Sequence, residues 1–287
     1  MANYQIITDS CCDLTAEMIE KLNLKMVSLN MMFRGETVPD SVSGEIKAFY
    51  DAMRGGESAT TSAVNPEGWA EAMRSSLEQG MDVLVIAFSS GLSTTYQSAV
   101  IAANELQETY PDRKICVVDS LCASLGQGLL CWHAAKKRDE GMALEELAAW
   151  IESHKGNLCQ WFTVDDLKYL KRGGRVSAAT ALVGTMLNIK PVLHVDDEGH
   201  LVSVSKVRGR KASIQAMADK MAQLALPGEN DFITICHADC REDAETLAQM
   251  VKERLGVKEV FIGYTGAVIG SHAGPGTLAL FFMGSAR

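Results

Sequence analysis

The sequence predicts an α/β protein in two parts, a mainly parallel sheet within residues 1–156 and a mixed sheet within residues 157–287. Three observations carry this. Apolar, β-branched runs such as Asp82–Phe88 alternate with helical patterns as far as His154, the repeat that builds a parallel sheet. Gly156-Asn157 interrupts that repeat. Beyond it, Asp196-Asp197-Glu198-Gly199 reads as a hairpin turn between two extended runs, which introduces antiparallel pairing.

Tyr4–Thr8 is a short apolar strand, and Asp9-Ser10-Cys11-Cys12-Asp13 is the polar turn after it. Asp9 reads as a turn residue rather than a metal ligand, because no second carboxylate cluster accompanies it. Thr15-Ala16-Glu17 opens a helix that buries Met18, Ile19 and Leu22. Lys25–Phe33 reads as one strand, closed by the turn Arg34-Gly35-Glu36. Ile46, Phe49, Tyr50 and Met53 recur at helical spacing until Gly55-Gly56. Asn65-Pro66 is a helix start, with Asn as cap and Pro at the first position, and Trp69, Met73 and Leu77 give that helix its buried face. Thr60, Thr61 and Ser62 form a hydroxyl cluster on the loop before it.

A second cluster, Ser89-Ser90-Gly91-Leu92-Ser93-Thr94-Thr95, lies between the strand ending at Phe88 and a helix read over Ala99–Glu108. The first amides of a helix lack partners and its N-terminus carries partial positive charge, so hydroxyls there form a cup for a carboxylate or phosphate. Ser93 or Thr94 serving only as a helix cap is the plain alternative. Two clusters flanking one strand favour convergence on a ligand oxygen group, beyond the C-terminal strand ends where such sheets bind ligands.

Lys114–Val118 is the next strand, ending in Asp119-Ser120. Ala123–Arg138 is a long helix whose Gly126 and Gly128 admit close backbone approach, and Met142–His154 is amphipathic. Leu158–Thr163 is a strand, Val164–Leu170 a short helix, and Lys171-Arg172-Gly173-Gly174-Arg175 a basic turn that either clamps an anion, faces a partner or sets cations against a helix end. A helix over Ser177–Leu187, strands Lys190–Val195 and Leu201–Val207, and a helix from Arg208 to about Leu224 follow. Strands Asp231–Cys236 and Lys258–Ile262 flank the helix Glu242–Leu255. His272 lies among small residues before the sharp turn Gly274-Pro275-Gly276, placed there to donate to an anionic head group or to make a structural bond. Leu278–Phe282 is the last strand.

The formal charge of −9 argues against a nucleic-acid binder, which would show a basic face. Met1-Ala2-Asn3-Tyr4-Gln5-Ile6 has neither the basic nor the apolar region of a secretion signal, and no apolar run is long enough to span a bilayer, so the expectation is a cytoplasmic protein. Eight cysteines in such a chain read as reduced core thiols. Cys236-His237-Ala238-Asp239-Cys240 lacks the second pair that a zinc site needs, so no metal is expected.

Ile7-Thr8-Asp9-Ser10, Thr61-Ser62, the run Ser89–Ser98, Val118-Asp119-Ser120, Lys171–Arg175, Ile189-Lys190-Pro191 and Ile269–Gly276 occur in an order that resembles the DegV family over nearly the whole chain. Thr94 stands where that family often has Gly, which stiffens the turn beside Ser93, and Ala63-Val64-Asn65-Pro66 departs from its more usual Gln-Pro-Ser-Pro at the mouth of the pocket. The resemblance implies two α/β domains holding one long-chain fatty acid between them. It implies that Thr61 and Ser93 hydrogen-bond the carboxylate, with Ser62, Thr94, His272 and the adjacent Ser271 around it. It further implies a carrier that presents its ligand to a separate fatty acid kinase for acyl-phosphate formation, needing no cofactor of its own. No P-loop or catalytic triad occurs in the sequence, in keeping with a non-catalytic subunit. Arg172, Arg175, Arg208 and Arg210 are the basic candidates for docking that kinase. An enzyme acting on a small phosphorylated or hydroxylated metabolite is the competing reading, since the same hydroxyl-rich cup suits phosphate. For a fatty acid, about 0.8 kcal/mol per buried CH₂ makes a tail of about fourteen methylenes worth roughly 11 kcal/mol before binding costs. Charged head-group bonds at about 1.5–3 kcal/mol each then fix orientation rather than dominate affinity.

Overall fold

The computed structural model describes residues 4–40, 45–176 and 188–287; the helix expected over 177–187 lies outside them. Strands β1 (Tyr4–Asp9), β2 (Leu24–Val27), β6 (Asp82–Ala87) and β7 (Ile115–Asp119) form a parallel sheet in the order β2-β1-β6-β7. β1 is buried along its length and β6 from Val83 onward, as their unbroken apolar runs require. A mixed six-stranded sheet has the order β10-β9-β8-β13-β11-β12. Its strands are β8 (Leu158–Thr163), β9 (Ile189–Val195), β10 (Leu201–Arg208), β11 (Phe232–His237), β12 (Glu259–Tyr264) and β13 (Leu278–Met283). Only β11 and β12 pair in parallel within it. The α/β reading with a parallel first sheet and a mixed second one is the observed architecture.

Helices α3 (Pro66–Leu77) and α4 (Thr95–Thr109) cover one face of the parallel sheet, and α5 (Leu125–Asp139) and α6 (Leu144–His154) pack on the other. α5 also packs on the six-stranded sheet. Its two glycines make that double contact possible: a Cβ at Gly126 would stand 2.6 Å from Gln160 Oε1, and one at Gly128 would stand 2.7 Å from the Cys12 carbonyl. Helices α8 (Arg210–Leu224) and α9 (Arg241–Leu255) cover the far face of the six-stranded sheet over a core that includes Met217, Met221, Leu247 and Phe282.

Five expectations change. The stretch Lys25–Phe33 is two strands in two sheets: after β2 the chain turns at Ser28-Leu29, where the Leu29 amide donates to Ser10 Oγ at 3.0 Å, and β3 (Asn30–Phe33) begins a separate sheet. That antiparallel sheet, β4-β3-β5, adds β4 (Glu36–Pro39) and β5 (Thr60–Ser62). Thr60, Thr61 and Ser62 are therefore strand residues, and not a loop at the end of a parallel strand. The short helix after β8 is α7 (Lys168–Gly173), later than read, and Arg208 ends β10 rather than opening a helix. Finally, Ala267–Ala273 is a helix, α10, where small residues had concealed it from the sequence pattern. Helix α2 (Ile46–Arg54) packs against α10, and α1 (Ala16–Lys21) follows β1. Among the described residues no helix is long and apolar enough to cross a membrane.

Candidate functional site

A cavity of about 500 Å³ opens between the parallel sheet, the small antiparallel sheet and the six-stranded sheet. Its rim carries Thr61 and Ser62 from β5, Ser90, Ser93, Thr94 and Gln97 around the start of α4, Arg175 after α7, and His272 from α10. Ser62, Thr94 and Gln97 are exposed, whereas Phe162, Cys236, Ala279 and Phe281 at the other extreme are buried.

Both hydroxyl clusters line this cavity, although they reach it by different routes. Thr61 reaches the rim because β5 pairs with β3, Thr61 opposite Met31. Ser93 and Thr94 reach it because β6 ends there. Thr61 Oγ1 and His272 Nε2 are hydrogen-bonded at 2.7 Å. Burial, helped by the charges of Arg175 and Arg172, pushes the His272 imidazole down to about 4, so it is neutral near pH 7. A Cβ at Gly173 would stand 2.3 Å from His272 Nδ1, so the glycine backbone forms the wall behind the ring.

Helix α4 begins at Thr95, four residues earlier than its apolar pattern shows. Thr94 sits at its N-cap without making a side-chain capping bond. Ser93 Oγ accepts the Thr95 amide at 3.2 Å and lies 2.8 Å from Thr95 Oγ1. Capping thus accounts for one bond of Ser93 and for nothing that Thr94 does. Ser271 lies outside the cavity lining: its hydroxyl donates to the Ala267 carbonyl at 2.7 Å, one turn back on α10.

The four arginines separate. Arg175 lines the cavity, its Nε donating to the Leu92 carbonyl at 3.2 Å and its guanidinium also bonding the Gly173 carbonyl. It ties the loop before α4 to the turn after α7, a placement that the Gly-Gly-Arg spacing alone does not disclose. Arg210 is ion-paired to Asp243 at 2.9 Å and lies 3.7 Å from Asp165. Arg172 and Arg208 are exposed, Arg172 resting 5.4 Å from the Tyr169 ring.

Deep in the cavity the polar side chains bond to the protein. Gln160 accepts the Ala123 amide at 2.9 Å and donates to the Leu121 carbonyl at 3.1 Å. Thr277 donates to the Gly274 carbonyl at 2.8 Å. Ser124 bonds Asp13, and both Ser124 Oγ and Thr265 Oγ1 lie 3.1 Å from Cys236 Sγ. With these bonds made internally, the remaining surface is suited to an apolar guest. Cys236 and Cys240 serve different surroundings, since Cys240 Sγ bonds Arg210 at 3.1 Å and the Thr277 carbonyl at 3.3 Å. Burial pushes both thiols up to about 12, which keeps them protonated. The one group of three metal-type side chains among the described residues is Asp196, Glu198 and His200 on the β9–β10 turn, away from the cysteines.

Comparisons with known proteins agree with this geometry. A family model described as "Uncharacterised protein, DegV family" matches residues 3–285. A DegV domain-containing protein of Clostridium perfringens is 43% identical over 100% of this chain and 99% of its own. A solved DegV lipid binding protein from Thermotoga maritima superposes with a TM-score of 0.86 at 30% identity, covering 100% of both chains. A solved DegV family protein from Thermus thermophilus, described for its fatty acid binding, gives 0.87 at 32% identity over 97% of this chain and 98% of that one. The chain belongs to the DegV family.

Proposed function

We propose that this protein binds one long-chain fatty acid, with its carboxylate among Thr61, Ser93 and Thr94 and its tail in the buried cavity. The observation that carries this is a cavity of about 500 Å³, polar at an exposed rim and internally satisfied at depth. That volume lies in the range of small-molecule sites, roughly 300–1,000 Å³. Relatives described as fatty-acid binding share the fold over nearly their full length. A phosphorylated metabolite would satisfy the rim yet leave the apolar depth unfilled, which is why the acyl ligand is favoured over an enzyme's small substrate. In this reading Ser62 borders the mouth, His272 orients the Thr61 hydroxyl, and Arg175 adds positive potential beside the carboxylate. The division into units 1–156 and 157–287 is part of the proposal, with the ligand held between them.

A carrier whose ligand's carboxylate sits at an open rim suits presentation to a separate fatty acid kinase, the partner we assign, and needs no catalytic group of its own. Arg172 and Arg208, exposed on an otherwise acidic protein, support the docking role, whereas the bonds of Arg175 and Arg210 commit them elsewhere. The head-group assignment is tested by Thr61→Ala combined with Ser93→Ala. Fatty acid recovered from the purified double variant should fall well below that from the parent while the melting temperature holds, and unchanged recovery would overturn the assignment.

A further inference from the structure

The motifs Thr8-Asp9-Ser10 and Val118-Asp119-Ser120 end β1 and β7, the two strands flanking β6. Their aspartates behave alike. Asp9 accepts the amide of Cys11 and Asp119 the amide of Leu121, both two residues on and both at 3.1 Å. Each then reaches across to the chain leaving β6: Asp9 Oδ2 accepts the Phe88 amide at 2.7 Å, and Asp119 Oδ1 accepts the Ser90 amide at 3.1 Å. Between them, the Ser89 amide donates to the Cys122 carbonyl at 3.1 Å, and Ser120 Oγ holds that turn by accepting the Cys122 amide at 3.1 Å. Three consecutive amides at the root of the Ser93 loop are thus fixed from both neighbouring strands. Asp9 is fully buried and Asp119 nearly so, and burial pushes the Asp9 carboxyl up to about 7, so its hold on the two amides rests on their geometry and not on a full charge.

We propose that Asp9 and Asp119 are positioning residues for the head-group loop, holding the backbone that aims Ser93 and Thr94 at a ligand carboxylate. This rests on the fatty-acid reading above. The two sites differ in one checkable respect. Asp119 takes both amides on the same oxygen, so the single carbonyl oxygen of Asn preserves both bonds. Asp9 divides its amides between two oxygens, so Asn places an N–H₂ against one of them.

The experiment compares palmitic acid with methyl palmitate, which has the same tail without the charge, by displacement of a fluorescent fatty acid from delipidated full-length protein. Loss of loop positioning should cut the preference for the free acid by about 5- to 10-fold in Asp9→Asn and Asp119→Ala, the worth of roughly one hydrogen bond, and leave ester affinity unchanged. Asp119→Asn should keep the parental preference. Acid and ester affinities falling together, or a parental preference in both Asp9→Asn and Asp119→Ala, would overturn the positioning role. Failure of Asp9→Asn to fold leaves the decision to the Asp119 pair, where equal behaviour of Asn and Ala overturns it. A parent without any preference for the free acid would instead overturn the head-group reading itself.

Discussion

Replacing Gly173 with alanine should loosen the head group without touching a residue that bonds the ligand. Gly173 lies outside the left-handed backbone region, so an L-residue adds no conformational strain. The new methyl would stand 2.3 Å from His272 Nδ1 and 3.2 Å from Cγ, against the 3.5 Å or so of an ordinary contact, so the ring must move by about 1 Å. It has open cavity on its other side, which makes displacement cheaper than backbone distortion. The displacement breaks the 2.7 Å bond to Thr61, worth about 0.5–1.5 kcal/mol net, and frees the Thr61 hydroxyl to rotate away from the carboxylate. Affinity for a fluorescent fatty acid should therefore fall about 2- to 12-fold. A double-mutant cycle isolates the cause: in a His272→Ala background no ring is left to displace, and Gly173→Ala should have no further effect. The same loss in both backgrounds, or none in either, would refute the reasoning.

Other outcomes follow from the same geometry. Arg172→Glu with Arg208→Glu should leave lipid loading intact and slow acyl-phosphate formation by the cognate kinase, most at low salt; equal rates for variant and parent would remove this surface from the docking account. His272 binds a proton at about 4 in the folded state and at 6.5 when unfolded, so unfolding takes up a proton between those values and stability is lost as pH falls through that window. His272→Gln removes that linkage, so chemical denaturation should show the parent losing about 1–2 kcal/mol relative to the variant between pH 7 and pH 4. A constant difference would mean that the ring is not buried in its neutral form.

Much of this was legible in the sequence because strong periodicities report burial directly. β6 reads as a buried strand and α3 as a helix because each local pattern agrees with its tertiary place. The failures have physical causes. Apart from His272, α10 is built from Ala, Val, Ile, Gly and Ser, and its position is set by distant groups: Asp40 accepts the Val268 amide at 2.9 Å, and Tyr50 donates to the Thr265 carbonyl at 2.7 Å. β5 has three residues, all hydroxyl-bearing, and is a strand because β3 offers it an edge. Thr61 and Ser93 were visible as hydroxyls next to helix starts, whereas the separation of Arg175 from Arg172 depends on how α7 ends against Leu92. The local pattern makes Asp9 a turn residue, as its bond to Cys11 agrees; its bond to Phe88 joins residues 79 apart in the chain, a link that no local pattern encodes.

The most direct measurement is of what the cavity holds. Purified protein should be denatured, extracted and analysed by mass spectrometry, with the protein quantified in parallel. The expected result is close to one equivalent of long-chain free fatty acid per chain, and well below that in a Thr61→Ala, Ser93→Ala sample handled alongside. Protein that yields no fatty acid, and takes none up when palmitic acid is supplied, while binding a phosphate ester at the same rim, would contradict it.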